Sequence, residues 1–173
     1  VQNIADLERY SRLWDGILGT FTRLTGEGNI ALNMTSLHNG SVTMGVVADD
    51  KTVAALMEGV TGMLSAMPVI LKIRKSQVDL ARLPLVNDLN NALEDEISML
   101  VNNTADSTAG KLILNYMNEN TDTEAMSGEI SKTLKQILSF IEKDGKIEFK
   151  PLKAEIDTAN ANKTLNESFS IAR

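Results

Sequence analysis

Cysteine is absent from these 173 residues, and histidine occurs once. The first absence removes disulfides, thiol nucleophiles, iron–sulfur clusters and zinc ribbons together. It leaves the compartment open, since cytoplasm and periplasm both accept a cysteine-free chain. The second removes any mechanism that needs two imidazoles. Aromatic residues are also scarce: one tryptophan, two tyrosines and four phenylalanines, against eight methionines. Proline appears only three times, so few positions forbid a helix. The first residue is valine, which leaves room for a leader upstream.

What is present is ordinary for a globular body. The length fits one domain of about 100–200 residues, and the 43% hydrophobic and 23% charged content matches folded chains. No disulfide or metal staple is needed at this size. The formal net charge is −6, and an acidic surface repels phosphate backbones and anionic headgroups. Nucleic acid is therefore not an expected partner. The densest basic cluster, "KIRKSQ" at 72–77, lacks interleaved aromatics. Five Asn-x-Ser/Thr sequons, at Asn33, Asn39, Asn102, Asn162 and Asn166, exceed chance too little to argue for glycosylation.

Hydrophobic spacing predicts the elements. Ile4, Leu7, Leu13, Trp14, Ile17, Leu18, Phe21 and Leu24 form one helical stripe. Ile30, Leu32 and Met34, then Val42, Met44 and Val46, alternate around Asn39-Gly40, a strong two-residue hairpin signal. A hairpin over about residues 29–48 follows. Asp49 or Asp50 caps a helix over about 51–67 that Pro68 stops. The β-branched run at 69–74 reads as a strand, with a short helix as the alternative. A helix over about 86–102 carries Leu89, Leu93, Ile97, Leu100 and Val101 before a polar break, "NNTADSTAG". Another helix is expected in "AGKLILNYMN", too short for its period to distinguish it from a strand. A further helix spans about 124–143, started by Asp122 or Thr123, and "KIEFK" at 146–150 is a short strand. The polar tail, 152–173, is a docked peripheral helix or a frayed end. The expected fold is thus one α+β domain over residues 1–173. Four or five helices pack on a small, mainly antiparallel sheet that contains the hairpin.

Recognised catalytic patterns are missing. No Gly-x-Ser-x-Gly elbow and no phosphate loop occurs, and "NENTDTE" lacks the glycine and terminal glutamate of a calcium loop. His38, beside the hairpin turn, has no local group to orient it as a base. Glu94, Asp95 and Glu96 are consecutive, so on a helix they point about 100° apart and cannot converge on one ion. No metal site and no cofactor is expected.

The segment from Val53 to Leu71 stands out. Its only charge is Glu58, which would cost about 2.5–3.5 kcal/mol at a bilayer centre. Its first reading is therefore a core helix rather than a membrane span. Met57, Met63 and Met67 recur along it, as do small residues four apart, Ala55 with Gly59 and Gly62 with Ala66. Pliable methionines suit adaptable binding surfaces, and small residues let helices approach closely. Those seven residues are the candidate partner-binding set. The favoured role is a non-catalytic interaction or assembly protein that self-associates or docks a protein partner through apolar helix surface. The competing role is a small-ligand binder or hydrolase. It would hold a carboxylate such as Glu58 or Asp95 at the rim of a cleft between sheet and helices.

Overall fold

A computed structural model describes residues 4–26, 31–38, 41–80, 87–117, 122–143, 146–151 and 167–172. Helix α1 (Ile4–Thr25) buries Tyr10, Trp14, Ile17, Leu18, Phe21 and Leu24, a stripe set by the 3.6-residue period. It stops at Gly26, whose φ of 71° only glycine adopts without strain. Lys51 Nζ donates to the Thr25 carbonyl at 3.1 Å, placing a cation on the negative end of the helix. Beside it the hydroxyls of Thr25 and Thr52 lie 2.8 Å apart, tying the end of α1 to the start of the next helix.

Helix α2 (Asp50–Leu64) begins at Asp49, whose carboxylate accepts from the Thr52 amide at 2.7 Å. Its inner face is Val53, Leu56, Val60 and Met63. The chain then turns at Ser65-Ala66 and re-enters a helix, α3 (Met67–Leu80). Two expectations fail here. Pro68 starts a helix instead of stopping one, because its missing N–H costs nothing in a first turn. The expected strand at 69–74 is helical, because Ile70 and Ile73 meet the core at i, i+3 spacing and so override β-branched propensity.

Helix α4 (Asn87–Tyr116) is 30 residues long and runs straight through the expected polar break. Ala105, Thr108, Ala109 and Leu112 are buried at helical spacing, while Asn102, Asn103, Asp106 and Ser107 face outward. The "break" is thus one small-residue face and one polar face of a continuous helix. Helix α5 (Thr123–Glu142) starts at Asp122, which accepts from the amides of Glu124 and Ala125. It buries Met126, Ile130, Leu134, Ile137 and Leu138. Phe140 sits edge-on to Trp14 at 5.3 Å and to Tyr10 at 5.9 Å, which ties α5 to α1.

The α+β expectation, with helices laid on an antiparallel sheet, is overturned. Every fully buried apolar side chain of the described core comes from the five helices or from Ala48 and Ala66 in the connections. Ile147 of β3 packs against that core from its edge and is partly exposed. The fold-bearing body is a helical bundle, with helices packed chiefly on helices. Strands β1 (Ala31–His38), β2 (Ser41–Val47), β3 (Lys146–Pro151) and β4 (Glu167–Ala172) pair among themselves, in the order β1-β2-β4-β3. All three ladders are antiparallel. The bundle rather than the ladder is what buries the apolar stripes. The Asn39-Gly40 turn lies outside the described residues, and so does 152–166 of the tail. The end of the tail is β4, neither a docked helix nor a frayed end.

Candidate interaction surface

The seven residues singled out in and after α2 separate once the helices are placed. Ala55, Gly59, Met63 and Ala66 are buried, Gly62 and Met67 are partly covered, and Met57 is exposed. The small residues are used within the chain. A Cβ on Gly59 would come within 3.0 Å of Leu134 and 3.1 Å of Phe21, and one on Gly62 within 2.6 Å of Thr108. Gly62 therefore lets α2 lie close against α4, whose facing positions Ala105, Thr108 and Ala109 are themselves small. The counterpart to the α2 glycines was present in the sequence, inside the stretch that reads as a polar break.

Glu58 is half-buried and accepts from Asn115 Nδ2 at 3.0 Å. Tyr116 is its second neighbour: burial, then a hydrogen bond to Glu58 and the nearby negative charge, pushes the Tyr116 phenol above its ordinary value. Shallow grooves run between helices, of about 470 Å³ between α1 and α5, about 400 Å³ between α3 and α4, and about 250 Å³ beside Tyr10 and Phe140. Neither Glu58 nor Asp95 lines any of these three. His38 ends β1, opposite Ser41 in the ladder. Among the described residues no three acidic, histidine or cysteine side chains are disposed to share a metal ion.

The acidic run divides by direction, as its spacing demands. Glu94 turns toward α3 and accepts from Arg74 at 3.3 Å and Gln77 at 2.9 Å, while Arg74 also reaches Glu142 of α5. Asp95 and Glu96 point to solvent.

The large apolar side chains left outside are elsewhere than predicted. Leu71 and Val78 of α3 are 57% and 62% exposed, and Met99 and Leu114 of α4 are 65% and 86% exposed. Val69, Leu89 and Leu64 add to them. Val78 borders the α3–α4 groove with Arg74, Gln77, Asn90, Asn91 and Glu94. The clue in the sequence was negative: these residues lie off the stripes that fill the core. By length and composition alone Asp50–Asp79 would also cross a bilayer, but Val53, Leu56, Val60, Met63, Ile70 and Ile73 along it face other helices.

No known protein family, curated protein or solved structure matches the chain.

Proposed function

We propose that this chain is a non-catalytic protein-interaction module that engages its partner through apolar side chains on the outer surface of α3 and α4. One observation carries this reading. Leu71, Val78, Met99 and Leu114 stand outside the bundle on neighbouring helices, each more than half exposed. Scattered single apolar residues are normal on any surface, whereas here Leu71 and Val78 share one face of α3 and Met99 lies on the helix packed beside it. The helices beneath are held by a core of their own, so the surface is rigid before any partner arrives, which lowers the cost of binding.

The seven-residue set on and after α2 is not the contact in this reading. Its glycines and buried methionine build the support, Met67 is half-covered, and Met57 is the one fully exposed member.

A photo-crosslinking amino acid placed at Leu71 or Met99 tests the reading, with Lys132 on the exposed side of α5 as the control position. Adducts to protein are expected from the first two sites and not from the third. They should form in concentrated purified protein or in extract of the producing cells. No adduct from any site, or equal yields from all three, contradicts it.

A further inference from the structure

The charge on the α3–α4 surface is unevenly divided. Helix α3 presents Lys72 and Lys75, with one carboxylate, Asp79, at its end, whereas the first half of α4 presents Asp88, Asp95 and Glu96. All six are exposed, and none of their side chains makes an ion pair or hydrogen bond among the described residues. The one cation of α3 that is satisfied within the chain is Arg74, through Glu94 and Glu142. Each helix also carries exposed apolar residues: Leu71 and Val78 on the basic one, Leu89 and Met99 on the acidic one.

The two helices are antiparallel neighbours: Arg74 and Gln77 both reach Glu94, and only six residues join the end of α3 to the start of α4. Val78 lines the same groove as Asn90 and Asn91. Lys75 of α3 and Asp95 of α4 therefore flank one surface, each one residue, about 100° of helix, beyond the internal Arg74–Glu94 pair. A surface with a basic apolar half beside an acidic apolar half is complementary to itself after rotation by 180°. That is the condition for an isologous twofold contact.

We infer that this surface is an interface between two copies of the chain, α3 of each lying against α4 of the other. The inference rests on the interaction-module reading and narrows its partner to the chain itself. Leu71, Val78 and Met99 form the apolar centre, and Lys75 faces Asp95 of the second copy on both sides of the axis. The mixed charge disfavours an anionic membrane, because the α4 carboxylates would repel the headgroups that the α3 lysines attract. It also disfavours a uniformly acidic or basic partner for the same reason.

The test uses light-scattering mass measured across protein concentration for the full chain and for the variants K75E and D95K. Both positions are exposed and outside the core, so the melting temperatures of the variants should match that of the parent chain. The parent should approach twice the chain mass as concentration rises, more weakly in high salt. Each variant alone brings like charges together twice across the axis and should associate at least about tenfold more weakly. An equimolar mixture of the two restores both opposite-charge contacts and should recover association toward the parent level.

A parent chain that stays monomeric to several hundred micromolar overturns the inference, as does a mixture that associates no better than its components. Flotation of the parent with phosphatidylserine vesicles, abolished in K75E, would also overturn it. The broader reading fails separately. A monomer that still crosslinks from Met99 to a different protein sinks the twofold contact alone. A monomer that crosslinks to nothing sinks both.

Discussion

Two parts of the bundle use apolar residues in opposite ways. Where α1, α5 and the inner side of α2 meet, Trp14, Phe21, Leu56, Ile130, Leu134 and Ile137 are fully enclosed. Along the outer side of α3 and α4, Leu71, Val78, Met99 and Leu114 are as large as many core residues and yet stand in water. The same residue chemistry stabilises the fold in the first place and is free to bind in the second. Composition cannot distinguish these, because the difference is made by which helix lies opposite.

The sharpest way to break this contrast is truncation. Trp14→Ala should cost about 3–5 kcal/mol and Leu134→Ala about 2–5 kcal/mol, since each leaves a cavity among enclosed neighbours. Met99→Ala should stay within about 0.5 kcal/mol, because its side chain leaves little behind. Urea unfolding of the three variants, compared at low protein concentration, checks the ordering. Equal costs at Met99 and Leu134 would erase the distinction between the two regions.

Glycine substitutions sharpen it at a smaller scale. Gly62→Ala drives a Cβ to 2.6 Å from Thr108 and should destabilise by about 1–3 kcal/mol, by overpacking the α2–α4 contact. Gly16→Ala on α1 meets nothing within 4 Å and should stabilise by up to about 1 kcal/mol through helix propensity. One substitution type, measured by thermal melting, thus takes opposite signs at two helical sites.

The smallest expected effect concerns Tyr116, at the edge between the regions. Burial first, and Glu58 second, raises its phenol above the ordinary value. The folded state therefore holds the phenolic proton more tightly than the unfolded chain does. The associated stability is fully present below about pH 10, the unfolded value, and is lost as pH rises through the folded value. Glu58→Gln removes the negative charge and should bring the titration of Tyr116 down, read from the ultraviolet absorbance of phenolate with Tyr10→Phe as background. An unchanged titration in Glu58→Gln would leave burial as the whole cause.

Some of this architecture was legible in the sequence. The α1 stripe from Trp14 to Leu24 and, to within one residue, the starts of α2 at Asp49 and α5 at Asp122 were readable because each rests on local spacing or a local hydrogen bond. Helix α3 was hidden because its β-branched residues mimic a strand, and only the i, i+3 burial of Ile70 and Ile73 distinguishes the two. The first half of α4 was expected, but its continuation past residue 102 was hidden because its apolar residues do not keep to one side. Ile97 faces the core and Met99 faces water, and its most intimate contact is made by alanines and a threonine. The packing of helices on one another instead of on a sheet was likewise a long-range fact, carried by no single window. The candidate surface was missed for a related reason. Met63 and Met57 share a helix and a residue type, and only the location of α4 and α5 separates the buried one from the exposed one.

The absence of cysteine makes one measurement especially direct, because any thiol introduced is the only one in the chain. Met63→Cys, Met99→Cys and Leu114→Cys would be labelled with a maleimide under native conditions at low and high protein concentration. The thiol at 63 should be protected by at least about a hundredfold relative to unfolded protein at both concentrations. Those at 99 and 114 should react freely when dilute, and the one at 99 should slow as the chain self-associates. A thiol at 63 that reacts as fast as the one at 114 would contradict the account, since the apolar segment of α2 would then not be interior.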